Sequence, residues 1–247
     1  MKKSIQYEKL AEDYHNKRRY AWRDFKRFLK ELMEEGLEIK GTAIDLGCAN
    51  GRHFNLIKNS KNRLIGIDNS IEFLEIAKGR LGINNNDMNT NKIQILQADL
   101  SYLPMRTNSI NCIFSVAALH HGKTKKLRKK CFSEIYEILK PYGFFIFTVW
   151  RRWQKRFYKH FLKDWIKRRF SPSYKKKQIE KGLKEFGDTF VPWTLLSDDI
   201  KIKRFYHLYS SPELKKSLKD FTIQKFEKRG GPGGKDNFFV LTFKGEN

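Results

Sequence analysis

This chain is poor in cysteine, in acid relative to base, and in long apolar runs. Three cysteines, Cys48, Cys112 and Cys131, stand far apart in 247 residues. Their odd number and their apolar or helical surroundings argue against a disulfide framework and predict buried or incidental thiols. Neither a CxxC nor an HxxxH pattern occurs, so the sequence assigns no metal ligand. No apolar run reaches about 18 residues, the length that marks a membrane-crossing helix. The opening segment MKKSIQYEKLAEDYHNKRR has no apolar core of the signal-peptide kind. A soluble, cytoplasmic protein without a membrane partner is therefore expected. Acids are scarce relative to bases: 27 Asp and Glu face 51 Lys and Arg, a net charge of +24. Such an excess points to a polyanionic partner, most often nucleic acid, with an anionic membrane surface as the rival. Hydrophobic residues make up 40% of the chain, which is ordinary for a globular protein and excludes wholesale disorder.

What is present is a rhythm of strands and helices. The length suits one domain carrying an insertion. Residues 1–36 read as helix, with Leu10 and Tyr14, then Trp22, Phe25, Phe28, Leu29 and Leu32, at helical spacing and Gly36 as terminator. GTAIDLGCANG is a strand meeting glycines, and RHFNLIKNS opens a helix. RLIGID is a second strand, followed by the helix SIEFLEIAKGRL with Ser70 as N-cap. INNNDMNTN reads as a polar loop. KIQILQADL and SINCIFSVAAL give two more strands, and TKKLRKKCFSEIYEILK an amphipathic helix. PYGFFIFTVW is a fifth strand entered through a turn. Strands alternating with helices predict a parallel, doubly wound α/β sheet. From Arg151 the pattern gives way to basic and aromatic residues with little strand character. It resumes at SPELKKSLKD, a helix with Ser211 as N-cap, and ends in FTIQKFEK and NFFVLTFK joined by RGGPGGKD as a hairpin. The expected plan is a helical extension (1–40), a cofactor-binding core (41–150), a basic and aromatic insertion (151–209) and a last helix with two strands (210–247).

A glycine-rich turn at the end of the first strand lets a ligand approach the backbone closely. Asp68, ending the second strand, is placed to accept from ribose hydroxyls, which suits either a nicotinamide dinucleotide or S-adenosylmethionine. The turn runs Gly47-Cys48-Ala49-Asn50-Gly51 and lacks the GxGxxG fingerprint of pyrophosphate binding. Asp45 on the strand itself would repel a diphosphate but suits a methionine ammonium. Ala98-Asp99-Leu100 ends the third strand, where an acid can accept from an adenine amino group. These strings resemble the D-x-G-x-x-x-G, strand-two acid and A-D motifs of class I S-adenosylmethionine-dependent methyltransferases, from about Gly41 to Val149 and again over the last helix and strands. The resemblance implies a seven-strand Rossmann-like sheet with a basic insertion before the last helix, and S-adenosylmethionine as cofactor. Its implied contacts are Asp45, Gly47, Cys48, Ala49, Gly51, Asp68, Asn69, Asp99, Leu100 and Ser115.

The fourth strand runs into AALHHGKT, placing His120 and His121 beside the expected ligand crevice. With RRYAWRDFKRFL, DTFVPW, KRFYHLYSSPEL and KDNFFV in this order, the chain resembles the family that methylates the carboxylate of 5-carboxymethyluridine at tRNA position 34. That family's R-Y-x-x-W-P motif is met at Arg19-Tyr20, whereas the tryptophan comes early, as Trp22, and the proline is missing. The resemblance implies tRNA as partner, joined by a small zinc-ribbon activator protein. A carboxylate nucleophile is already ionised at neutral pH and needs alignment and charge placement rather than a general base. Arg19 with His120 or His121 is the expected catalytic set. Tyr20, Trp193, Arg204, Tyr206, His207, Asp236 and Asn237 are the expected substrate contacts. As a strand, RFYHLY puts Arg204 and Tyr206 on one face and His207 on the other.

Residues 151–184 hold 14 lysines and arginines against Asp164 and Glu180, about half of the chain's positive excess. Trp153, Phe157, Phe161 and Trp165, four apart, suit one face of a helix. The functional reading is an arm on tRNA phosphates; the bland one is an amphipathic helix with solvated cations. Two rivals stay open: a methyltransferase of this fold acting on another RNA nucleoside or a small molecule, and a non-catalytic RNA-binding module.

Overall fold

Strands buried on both faces read as near-continuous apolar runs, and INCIFSV and GFFIFTVW are of that kind. The computed structural model describes residues 2–81, 93–195 and 201–246; the predicted polar loop INNNDMNTN lies outside them. Two helices open the chain, α1 (Lys2–Lys17) and α2 (Arg23–Glu34), where the periodicity predicts a single run. The break falls before Trp22, whose extended backbone (φ −65°, ψ 119°) turns the chain inward. Its ring packs on Phe239 with centroids 5.1 Å apart, and its backbone N–H faces His53 Nε2 at 3.4 Å. Tertiary contact overrides a continuous helical pattern here.

The core follows in alternation: β1 (Gly41–Leu46), the short α3 (Phe54–Ile57), β2 (Asn62–Asp68), α4 (Ile71–Arg80), β3 (Ile93–Gln97), β4 (Ile110–Val116), α5 (Lys125–Ile138) and β5 (Leu139–Trp150). Ser70 caps α4 by accepting from the Phe73 N–H at 3.3 Å, and Thr124 caps α5 through the Leu127 N–H at 3.2 Å. β5 begins two residues before the predicted Pro-Tyr-Gly entry, and its register against β4 shifts between Ile110 and Cys112.

The insertion holds α6 (Tyr158–Phe170), α7 (Pro172–Glu180), β6 (Asp188–Thr194) and β7 (Lys201–His207). Two predictions are corrected there. The segment contains a strand pair, with β6 antiparallel to β7 and Pro192 opposite Lys203, a placement that a two-stranded sheet tolerates because both strands are edges. The aromatic residues four apart do not share one helix, since Trp153 and Phe157 precede α6; Phe161 is buried while Trp165 is 52% exposed. α8 (Ser211–Ser217) is capped by Ser210 rather than Ser211, in a capping box with Glu213. β8 (Phe221–Arg229) and β9 (Asn237–Lys244) form the predicted hairpin.

The seven-stranded sheet runs β3-β2-β1-β4-β5-β9-β8. β1 to β5 are parallel, and β9 is antiparallel to both β5 and β8. One face packs Ile44, Ile113, Phe145 and Phe147 with Phe132 and Ile135 of α5 and Leu214 of α8. The other packs Ala43, Cys112, Phe114 and Ile146 with Phe25, Phe28 and Leu32 of α2 and Leu74 of α4. All three cysteines are buried free thiols. Strand order reverses between β1 and β4, and the crevice at the carboxyl ends there is where a doubly wound sheet binds ligands.

Candidate active site

The turn after β1 is shaped by what cannot fit. Gly47 has φ +72°, and a Cβ on it would stand 2.3 Å from Ala118 Cβ, so glycine is required twice over. Ala49 adopts φ +46° without being glycine, a strained geometry held by Asp68, whose Oδ2 accepts from the Ala49 N–H at 2.9 Å. Asp68 Oδ1 accepts from the Ser70 N–H at 3.0 Å, so this one carboxylate ties the cofactor loop to α4. Burial pushes its pKa up.

Asp45 is 1% exposed, and neither carboxylate oxygen has a hydrogen-bond partner among the described residues. Burial first, and Asp68 second, raise its pKa to about 7, against the opposing pull of Arg52. Buried polar atoms in native proteins are nearly always paired, so an orphaned acid at a glycine-rich turn signals a cationic ligand group. The ammonium of a methionine moiety fits that requirement, and Asp68 keeps lone pairs for ribose hydroxyls. Asp99 is exposed at the end of β3, its Oδ1 accepting from the Ser101 N–H at 2.8 Å, with Leu100 about 4.0 Å from the Gly47 Cβ position. Asn69 is exposed beside Asp68. Cys48 is buried, and burial lifts its thiol pKa well above the ordinary range. Gly51 shares the turn, with φ +66°. Ser115 is committed elsewhere, donating from Oγ to the Leu46 carbonyl at 3.0 Å.

Past β4 a 3-10 turn, Leu119–His121, carries both histidines. They therefore do not alternate as strand residues would, and both rings meet Tyr206. His120 lies 4.7 Å from Tyr206 at an interplanar angle of 23°, and His121 lies 4.5 Å from it at 65°. Burial holds His120 well below its ordinary pKa. Its Nδ1 faces the Trp150 N–H at 3.4 Å, which puts the ring proton of the neutral form on Nε2, a buried atom with no partner. The exposed His121 has Nδ1 3.0 Å from the Phe205 carbonyl, leaving its Nε2 as an acceptor in the neutral ring.

Arg204 lies over the Tyr206 ring at 5.2 Å and over Trp193 at 4.4 Å. Trp193 is 9% exposed. Its indole N–H donates to Asp13 Oδ2 at 2.6 Å, and Tyr14 stacks on it at 5.6 Å. With Tyr14 and Arg204 against its ring, Trp193 anchors α1 to the β6–β7 pair. Arg18 and Arg19 follow α1, exposed, with Tyr20 at 81% exposure. Asn50 donates to the Arg18 carbonyl at 3.2 Å and Arg80 to the Arg19 carbonyl at 2.7 Å, bringing this turn onto the cofactor loop.

Three further expected contacts make no ring contact with this wall. His207 is fully buried between Asp188 Oδ1 and Glu213 Oε1, each 2.7 Å from a ring nitrogen. Asp236 closes the β8–β9 turn by accepting from the Gly233 N–H at 2.7 Å, and Asn237 begins β9 opposite Trp150. Asn50, Arg52, Arg80 and Trp150 carry no mark in the sequence beyond Asn50 and Arg52 falling in or beside the glycine turn. A cavity of about 560 Å³ lies at the opposite end of the sheet, around Tyr142 and Glu38, away from all these groups. No cluster of three or more metal-ligating side chains occurs among the described residues. No helix among them is long and apolar enough to cross a membrane.

Comparison with known proteins agrees with this geometry. Residues 44–147 match the family of the methyltransferase domain. A S-adenosylmethionine-dependent methyltransferase from Methanosarcina mazei superimposes with a TM-score of 0.67 at 20% identity, covering 87% of this chain and 98% of that one. Residues 44–147 thus carry a methyltransferase domain, and the sheet around them shares the fold of S-adenosylmethionine-dependent methyltransferases. At a finer level it is similar to the tRNA (carboxymethyluridine(34)-5-O)-methyltransferase of Arabidopsis thaliana, with 31% identity over 146 residues, which are 58% of this chain and 31% of that protein. An uncharacterized protein of Methanocaldococcus jannaschii is 26% identical over 86% of this chain and 72% of its own length. The chain thus spans less than a third of the first curated relative it matches.

Proposed function

We propose that this protein transfers a methyl group from S-adenosylmethionine to tRNA, forming the methyl ester of 5-carboxymethyluridine at wobble position 34, in the cytoplasm. The observation that carries the reading is the wall beside the cofactor loop: Arg204, Tyr206, His120 and His121, with the Arg18-Arg19 turn against it. Acids near it are committed, Asp13 to Trp193 and Lys17 and Asp188 and Glu213 to His207. A wall with cations and neutral imidazoles, whose neighbouring carboxylates are committed, suits a nucleophile that is already an anion. The likeness to the Arabidopsis enzyme supports the same substrate.

In this mechanism the cofactor supplies an electrophilic sulfonium methyl. Asp45 would hold its ammonium and Asp68 its ribose, while Asp99 and Leu100 border the adenine. Arg19, or Arg204 with its buried and unpartnered Nε, holds the substrate carboxylate by charge. The Nε2–H of His120 is a neutral donor to the same oxygens. Neutral donors orient a carboxylate without quenching its nucleophilicity as a tight bidentate ion pair would. No residue of the wall would have to take a proton, because the substrate carboxylate is already ionised and would accept the methyl group directly. A small zinc-ribbon activator protein belongs to the same reading.

Nucleoside mass spectrometry of tRNA incubated with the protein, labelled cofactor and a candidate activator tests this. The expected product is a labelled nucleoside that loses its methyl in mild alkali. An alkali-stable label would exclude the ester.

A further inference from the structure

Four guanidiniums gather where α1 meets the cofactor loop and α4. Arg80, on the last turn of α4, reaches the Arg19 carbonyl at 2.7 Å. Arg52, next after Gly51 of the cofactor turn, lies over the Tyr14 ring at 5.7 Å. Arg18 lies over Trp193 at 5.7 Å. Among the described residues none of Arg18, Arg19, Arg52 and Arg80 has an ion-pair partner. Arg128, Arg152, Arg168 and Arg229 differ in this: each pairs with a carboxylate at 2.6–3.1 Å. The crowding is felt locally. Arg80 has its pKa lowered by desolvation and then by Arg19 and Arg52, and His15 by desolvation and then by Arg80 and Arg19. Mutual repulsion of this kind is costly in a free protein and is relieved when an anion enters.

We propose that Arg52 and Arg80 form a binding site for a backbone phosphate next to the target nucleoside. The inference rests on the tRNA reading above and adds a contact to it. Guanidinium forks match phosphate oxygens in geometry as well as charge. The site lies along the same continuous wall as the histidines: Arg52 on Tyr14, Tyr14 on Trp193, Trp193 under Arg204, Arg204 on Tyr206, and Tyr206 on His120. Arg52 is thus linked to the histidines through packed side chains, on the side where the Arg18-Arg19 turn lies against the cofactor loop. The carboxylate of the cofactor is the competing anion, but it carries one charge, and Arg80 stands on α4 rather than in the turn.

The test pairs an Arg52→Gln variant with anticodon stem-loops bearing one uncharged methylphosphonate linkage on either side of nucleotide 34. For the native protein, one of the two linkages should weaken stem-loop binding about tenfold, the loss of one charged hydrogen-bonded contact. Arg52→Gln should weaken the all-phosphate stem-loop by a similar factor, lower the salt slope by about 0.7, and lose nothing further with the uncharged linkage. Arg52→Lys, which keeps the charge beside Asp45, should keep the salt slope and hold cofactor affinity by calorimetry within about twofold. Losses that multiply would overturn the phosphate site. So would an Arg52→Gln variant that weakens cofactor binding as much as RNA binding, which would give the site to the cofactor carboxylate. If the native protein fails to bind the all-phosphate stem-loop, the tRNA reading itself falls, and that outcome is seen before any variant is compared.

Discussion

Two parts of this molecule bury acids, and they treat them in opposite ways. Where the insertion meets α8, buried Asp188 and half-buried Glu213 enclose His207, and Glu213 also takes Arg152 Nη2 at 2.6 Å. Asp188 Oδ2 accepts from the Glu185 N–H at 2.7 Å, so its two oxygens are both used. At the cofactor turn, Asp45 is buried just as deeply and its oxygens are bare. A satisfied buried network fixes a structure, whereas an unsatisfied buried charge stores a cost that only a ligand removes. The contrast separates paired acids from a bare one without appeal to function.

Breaking the satisfied network should give the largest effect. Asp188→Ala leaves His207 and the Glu185 N–H without their partner and should cost about 3–5 kcal/mol, read by denaturant unfolding. Cofactor affinity of the folded fraction should be unchanged. The opposite pattern should follow at the bare acid. Asp45→Asn should weaken S-adenosylmethionine by about 100-fold in calorimetry while leaving the melting temperature at pH 8 unchanged or higher.

The pH dependence sharpens the same comparison. An acid raised to about 7 in the folded free protein binds a proton that the unfolded chain has already lost above its ordinary pKa. Its contribution to stability is complete below that value and is lost as pH rises through 7. Ligand affinity runs the other way, because the carboxylate form holds the ammonium. Cofactor binding should strengthen as pH rises from 6 towards about 7, with proton release measurable in buffers of different ionisation enthalpy. Asp45→Asn should abolish both trends.

Smaller effects are expected at the anchor and the arm. Trp193→Phe keeps a ring against Tyr14 and Arg204 but drops the N–H to Asp13, costing about 1–3 kcal/mol of stability with cofactor affinity intact. A loss of tRNA methylation without a loss of stability would instead place Trp193 against the base. On α6, replacing Lys159, Lys163 and Lys167 by Gln should weaken tRNA by a few-fold each and lower the salt slope by about 0.7 for each phosphate contact removed. An unchanged slope would leave those cations to the solvent.

Much of the core was legible because its signals are local. Asp45, Gly47, Asp68 and Asp99 sit at strand ends that the alternation of apolar runs and caps already marks, and Ser70 announces the helix it caps. The insertion was less legible. DTFVPWT carries a proline and a short apolar run, and nothing within it says that RFYHLY, across residues 195–200, will pair with it. His207 looked like a site residue because histidine beside Arg204 and Tyr206 is chemically suggestive. Only the approach of Asp188 and Glu213 makes it structural. Arg52 and Arg80 went unmarked for the converse reason: alone, each is one basic residue among 51.

The sequence by itself determined the doubly wound sheet, the cofactor turn and the positive field, since periodicity, glycine positions and charge are properties of neighbouring residues or of sums. Tertiary structure alone decided which buried acid is bare and which is paired, which aromatic ring anchors the wall, and which arginines lack a carboxylate. Those are statements about partners far apart in the chain, and hydrogen bonds and ion pairs act only at contact distance.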